Sequence, residues 1–243
     1  MNGTYLIFEG DSGIGLAVAK KLSYDGSQVI IVDGNKEKLA EASKEIGSNC
    51  ISYFYDLGDI EHINLIFDFV ISKKIRLNGM IFCADICPLV LLNDCTPEIA
   101  RHVFRMNVFS FIECAKFFYD ERVSYDGSKI VVLTSTAAHK AENRRALYGS
   151  SKSAIIAATR LMAKELLNRN IKVNCISPGV VKTEILSDLN NDKNILSEQI
   201  ISRQPLGVIP TEKAAELICV LVSSLSDYMT GIEIIYDGGS MLR

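Results

Sequence analysis

Thr4-Tyr5-Leu6-Ile7-Phe8-Glu9-Gly10-Asp11-Ser12-Gly13-Ile14-Gly15 is a short apolar run that breaks into a glycine-rich turn. From Gly13 the apolar spacing changes. Ile14, Val18 and Leu22 fall four apart, on one helical face. The stretch therefore reads strand, turn, helix. Outward from it the same alternation continues. Gln28 to Val32 is a β-branched run with no polar break, as a strand covered on both faces should read. Asn35 to Ile46 is a charged helix with Leu39, Ala42 and Ile46 inward. Cys50 to Tyr55, Gly79 to Cys83, Lys129 to Leu133, Lys172 to Ile176 and Ile232 to Tyr236 are further strands. Helices are predicted through Ile60, Ile63, Phe67 and Val70, after Thr96-Pro97-Glu98, over Ala146 to Asn168, and over Thr211 to Val222. Seven strands alternating with helices predict an α/β fold, a doubly wound parallel sheet with helices on both faces. Such sheets bind ligands at the carboxyl ends of their strands.

The chain has 243 residues, 48% hydrophobic and 23% charged, with a net charge of −3. That balance excludes wholesale disorder and offers no basic face for nucleic acid. No apolar run approaches the ~18 residues that cross a membrane. The N-terminus carries no positive region or cleavage site, so the expected location is cytoplasmic. The seven cysteines are scattered and are expected to be reduced. Cys83 and Cys87 lack a second Cys/His pair, and His62, His102 and His139 are dispersed, so no metal is expected. No linker or repeat divides the chain, which reads as a single domain over 1–243. The polar stretch Asp188 to Asn194 reads as part of a surface flap.

Tyr148-Gly149-Ser150-Ser151-Lys152 lies on the long predicted helix, so Tyr148 and Lys152 share a face. A phenol of pKa ~10 is a poor acid/base at neutral pH. A cation about 4 Å away is worth roughly 4 kcal/mol at an effective dielectric of ~20, which would bring the phenol into working range. Ser135 follows the fifth strand, and Asn107 lies in the helix before it.

With these residues in view, the chain resembles the short-chain dehydrogenase/reductase family in its single-domain form, close to 3-oxoacyl-acyl-carrier-protein reductases. The resemblance covers essentially the whole length. It includes Gly13-Ile14-Gly15, Asp33, Asp56-Leu57, Asn107, Ser135, Tyr148, Lys152, Pro178-Gly179-Val180-Val181-Lys182-Thr183 and Asp237-Gly238-Gly239. It implies a Rossmann-type sheet and hydride transfer between a nicotinamide cofactor and an alcohol or carbonyl. Tyr148 would be the general acid/base, Lys152 would lower its pKa, Ser135 would bind the substrate oxygen, and Asn107 would position a water beside Lys152. Cofactor contacts would come from Ser12, Gly13, Ile14, Gly15, Asp33, Asp56, Leu57, Ala84, Tyr148, Lys152, Pro178, Gly179, Val181 and Thr183. A flap from about Glu184 to Gln204 would close over substrate. Asp33 can accept both ribose hydroxyls and repels a 2′-phosphate, which favours NAD over NADP. The resemblance also implies a homo-oligomer, tetramer or dimer, with Ala154, Ile155, Ala157 and Ala158 as contact residues.

Two positions depart from the family. The turn, usually TGxxxGxG, places Phe8 at the threonine and Glu9 at the first glycine if matched without a gap; with a gap, Gly10 is that glycine. After the fourth strand the usual Asn-Asn-Ala-Gly is Phe82-Cys83-Ala84-Asp85, so Asp85 stands for a glycine. Either these acids weaken cofactor binding, or Glu9 joins Asp33 on the adenine ribose. The first account leads to an alternative function, a non-catalytic relative acting as a binding or oligomer-partner protein. Finally, His139, Lys140, Arg144 and Arg145 form a basic loop. It is most simply a solvated turn, though it could receive an anionic acyl-carrier thioester.

Overall fold

The computed structural model describes residues 3–183 and 203–242. The flap expected over Glu184 to Gln204 therefore lies almost wholly outside the described residues, as does Asp188 to Asn194. Seven strands form one parallel sheet: β1 (Thr4–Phe8), β2 (Gln28–Asp33), β3 (Cys50–Phe54), β4 (Leu77–Phe82), β5 (Ser124–Leu133), β6 (Lys172–Pro178) and β9 (Glu233–Tyr236). Their spatial order is β3-β2-β1-β4-β5-β6-β9. A separate pair, β7 (Val181–Lys182) and β8 (Ile209–Pro210), lies beyond β6.

The period of two along each strand divides the core into two layers. Leu6, Phe8, Ile30, Val32, Met80, Phe82, Ile130 and Val132 face one side. They pack on α3 (Asn64–Ser72), α5 (Ser110–Phe118) and α6 (Ala146–Glu165) through residues such as Ile66, Phe111, Phe118 and Ile155. Tyr5, Ile7, Val29, Ile31, Ile81, Val131 and Leu133 face the other side. They meet Val18 and Leu22 of α1 (Gly13–Tyr24), Leu39 and Ala42 of α2 (Lys36–Ile46), and Ile218 and Leu221 of α7 (Thr211–Val222). A one-residue slip would exchange the two layers, so the in-register pairs Leu6↔Ile30 and Leu6↔Met80 are firmly specified.

Strand order reverses at β1, which has β2 on one side and β4 on the other. The crevice outside their carboxyl ends is where a doubly wound sheet takes its ligand. The predicted strands and the long helix stand within a few residues of their expected bounds. Two features differ. The helix expected to carry Asn107 is not a single α-helix: α4 (Pro97–Phe104) runs through a π-helical turn, Arg105–Phe109, into α5. The β7–β8 pair is only two residues long, too short to leave a periodicity in sequence.

Candidate active site

A cleft of about 480 Å³ opens at the reversal point. Its floor is the turn after β1. Glu9 stands at φ +56, in the left-handed region that favours glycine. This supports the ungapped reading, in which Glu9 occupies the first glycine position. The next turn of chain packs closely: a Cβ on Gly15 would lie 2.0 Å from the Glu9 carbonyl oxygen, and one on Gly10 would lie 2.7 Å from Ile31. Ser12 is the N-cap of α1 but makes no side-chain capping bond, and the first turn of the helix holds no acid. Ser12, Gly13, Ile14 and Gly15 line the cleft, so the orphan amides of the α1 N-terminus are available to a phosphate.

At one end of the cleft lies Asp33, whose carboxylate accepts from the Asn35 amide at 2.9 Å. Burial and the neighbouring Asp11 push its carboxyl up to about 6. Asp11 is buried and hydrogen-bonded to Asp33. Asp11, rather than Glu9, is therefore the acid bonded to Asp33. Glu9 is also pushed well above the carboxylate range, first by burial and then by the charge of Asp85.

The other end is built by α6 and the segment after β4. Tyr148 and Lys152, one helical turn apart, point into the sheet, 7% and 1% exposed. The Tyr148 hydroxyl donates to Asp85 Oδ2 at 2.8 Å. Lys152 Nζ lies 2.6 Å from the same Oδ2 and donates to the Leu133 carbonyl at 3.1 Å. Ser135 also hydrogen-bonds Tyr148, and its Oγ accepts from the Ala137 amide at 3.1 Å. The expectation that Lys152 lowers the Tyr148 pKa took no account of an acid bonded to both side chains. Burial and Asp85 hold the phenol well above its ordinary value. The carboxylate takes up the lysine charge and adds a like-charge penalty to the phenolate.

Asn107 is 1% exposed in the π-turn. Its Oδ1 accepts from the Ile86 amide at 2.8 Å, and its Nδ2 donates to the Ile86 carbonyl at 3.0 Å and Ser151 Oγ at 2.9 Å. The side chain thus fixes the strand-to-helix segment behind Asp85 and the turn of α6 between Tyr148 and Lys152. Pro178, Gly179, Val181 and Thr183 line the opposite wall. Buried Gln204 holds that wall. Its Oε1 accepts from the Val180 amide at 2.8 Å, and its Nε2 donates to the Val180 carbonyl at 3.1 Å. No sequence signal marked Gln204, because its role rests on contacts across twenty-four positions of chain.

Four expected cofactor contacts do not line the cleft: Lys152, which is buried and bonded to Asp85, and Leu57, Ala84 and Asp56. Leu57 and Ala84 belong to the hydrophobic core, drawn in by their apolar side chains. Asp56 is exposed and turned back on Gly58, whose amide it accepts at 2.8 Å. Their places on the cleft wall are taken by Cys83, Asp85, Asn35 and Lys38. The cleft nevertheless fits a dinucleotide: close-packed turn, open helix N-terminus, and a ribose acceptor at the end of β2.

A sequence model of the enoyl-(acyl carrier protein) reductase family matches residues 9–241. The chain belongs to the short-chain dehydrogenase/reductase family. It is 30% identical to carbonyl reductase family member 4 of Xenopus laevis over the full length of both proteins. It is 25% identical to a diacetyl reductase of Staphylococcus epidermidis, again over both full lengths. Among solved structures, a short-chain dehydrogenase/reductase from Mycobacterium ulcerans superposes with a TM-score of 0.89 at 29% identity, covering 99% of this chain and 90% of that one. A structure of ElxO with NADPH bound also gives 0.89, at 25% identity and full coverage of both chains. This short-chain dehydrogenase/reductase is accordingly an oxidoreductase of a family that uses nicotinamide cofactors.

The basic loop has internal partners. His139 Nε2 lies 2.6 Å from Glu233, Lys140 donates to the Ser240 carbonyl, Arg144 to the Leu89 carbonyl at 3.0 Å, and Arg145 pairs with Glu142 at 3.1 Å. Three of these partners belong to other parts of the fold and one, Glu142, to the loop itself. Likewise Ile155 is in the core, because it faces the parent sheet, and it is not a subunit contact; Ala157 is exposed.

Proposed function

We propose that the protein reduces small carbonyl compounds, and runs the reverse alcohol oxidation, with NAD(H) favoured and Tyr148 as general acid/base. The observation that carries this reading is the meeting of Ser135 and Tyr148 at one end of a cleft whose other end holds Asp33 and the α1 N-terminus. Bound there, the nicotinamide would give or take the hydride. Ser12 to Gly15 would hold the pyrophosphate, Asp33 the adenine ribose, and Pro178, Gly179, Val181 and Thr183 the nicotinamide side. Ser135 would donate to the substrate oxygen as charge develops on it. Tyr148 would supply the proton that the oxygen takes up, or remove it in the oxidation.

Two acids at the ribose end, Asp11 and Asp33, support NAD, since a 2′-phosphate would meet both. The ElxO structure holds NADPH, so the choice is one of local charge and not of fold. Names of relatives, carbonyl reductase and diacetyl reductase, support a small neutral substrate, and the internal partners of the basic loop favour it over a carrier-bound thioester. All seven cysteines are free thiols, which supports a cytoplasmic setting. Exposed Phe109, Ile112 and Leu161 on the outer faces of the π-turn, α5 and α6 support a homo-oligomer.

Calorimetric titration with NADH and NADPH, followed by diacetyl reduction, tests the reading. Tighter NADH binding is expected. Tyr148→Phe should lower kcat by about 10³, with cofactor Kd within about twofold. Binding of neither nucleotide would overturn the proposal and leave a non-catalytic relative; preference for NADPH would overturn only the cofactor choice.

A further inference from the structure

Asp85 stands at a family glycine, yet its carboxylate is bonded to both Tyr148 and Lys152. One oxygen accepts from Tyr148 at 2.8 Å and lies 2.6 Å from Lys152 Nζ. The two partners are buried, while the Asp85 side chain is 29% exposed. Asp85 is therefore the hydrogen-bonded step between the enclosed Tyr148 hydroxyl and bulk water. Its position is set from behind: Asn107 bonds both the amide and the carbonyl of the next residue, Ile86.

Resting on the reading above, we propose that Asp85 is a positioning residue that relays protons between solvent and Tyr148, held in place by Lys152. In the reduction Tyr148 gives its phenolic proton to the substrate oxygen. The Asp85 carboxylate takes a proton from water and passes it to the resulting phenolate, which returns Asp85 to its ionised, Lys152-paired form. The oxidation runs the same transfers backwards. No electron leaves the established hydride chemistry, and each proton given to substrate is replaced by one from solvent. Lys152 keeps the carboxylate in line and neutralises it between transfers.

The charged and titratable groups facing this pair are Lys152, Ser135 and Cys87 around Tyr148, with Glu9 and Cys83 on the far side of Asp85. Burial and the Asp85 charge raise the phenol, the direction that keeps Tyr148 protonated for reduction. Removing the carboxylate charge lowers it. In Asp85→Asn the alkaline fall of diacetyl reduction should accordingly move to lower pH.

The test uses the full chain with diacetyl and NADH, and the variants Asp85→Asn and Asp85→Gly. Both should lose about tenfold or more in kcat while KM for diacetyl stays within about twofold. Added formate should restore Asp85→Gly, where the vacated space can take a carboxylate, and leave Asp85→Asn unchanged. A purely structural role predicts no rescue and overturns the relay. Unchanged or higher kcat with tighter NADH binding also overturns it, making Asp85 an obstacle to the cofactor. An independent readout is the absorbance titration of Tyr148 without cofactor, taken as wild type minus Tyr148→Phe. Ionisation should fall by about one pH unit or more in Asp85→Asn, and identical titrations would overturn the proposal whatever the activity. Should the wild type reduce no carbonyl with either nucleotide, the proposed function falls. The titration then decides alone whether Asp85 couples to Tyr148.

Discussion

The turn after β1 and the segment after β4 each carry an acid where the family carries glycine, and the two acids meet opposite fates. Glu9 is forced to φ +56 and feels the charges of Asp85 and Asp33 most, then that of Lys152 in the opposite sense, and that of Asp11. Its carboxyl is driven towards the neutral form. Asp85 has a buried ammonium 2.6 Å away and keeps access to water. The lesson is that an acid in a cofactor cleft is defined by its nearest cation, not by the residue it replaces. One position stores strain, and the other makes a working contact.

The largest effect that would break this contrast is on stability. Asp85→Asn leaves Lys152, 1% exposed, without its anion. Cofactor-free protein should lose about 3 kcal/mol in urea unfolding. An unchanged midpoint would mean that Lys152 is neutralised otherwise. Glu9→Gly should act in the opposite direction. It removes a left-handed side-chain penalty and a carboxyl crowded by Asp85 and Asp33, for a gain of about 1–2 kcal/mol. A loss on the same measurement would show that the Glu9 side chain makes a favourable contact.

A third effect is in pH dependence. Asp33 is raised from 3.8 to about 6 in the folded protein, so between these values the native state binds the extra proton. Its contribution to stability is full below 3.8 and is lost as pH rises through about 6. Glu9 acts with the same sign. Asp33→Asn should flatten the fall in stability across that interval, measured as urea midpoints, and an unchanged slope in the variant would contradict the raised Asp33 carboxyl. The smallest effect concerns the basic loop. Because its four basic side chains have internal partners, added salt should leave KM for an acyl-carrier substrate unchanged. A salt-dependent rise would restore the anion-receptor reading.

Much of this was legible in the residues. The unbroken Val29 to Val32 run, the shift of period at Gly13 and the four-residue spacing of Tyr148 and Lys152 each determine local structure by themselves. The sheet and one face of the catalytic end follow from them. What stayed hidden depends on direction in space. Sequence shows that Asp85 replaces glycine, but not that its carboxylate turns towards Lys152. It marks Asp11 as a second acid in the turn without placing it on Asp33. Leu57 and Ala84 sit at motif positions, yet burial of their apolar groups carried them into the core. The π-turn at Arg105–Phe109 widens a helix by a single residue's worth of backbone and leaves no compositional trace.

The side-chain amide of Gln204 ties Val180 to Gly207, and Val181 pairs with Ile209, so the backbone leaves the sheet near Thr183 and returns at Arg203 through two fixed posts. One side chain therefore sets the spacing of two chain segments at the mouth of the cleft, as a single rivet sets the gap between two plates.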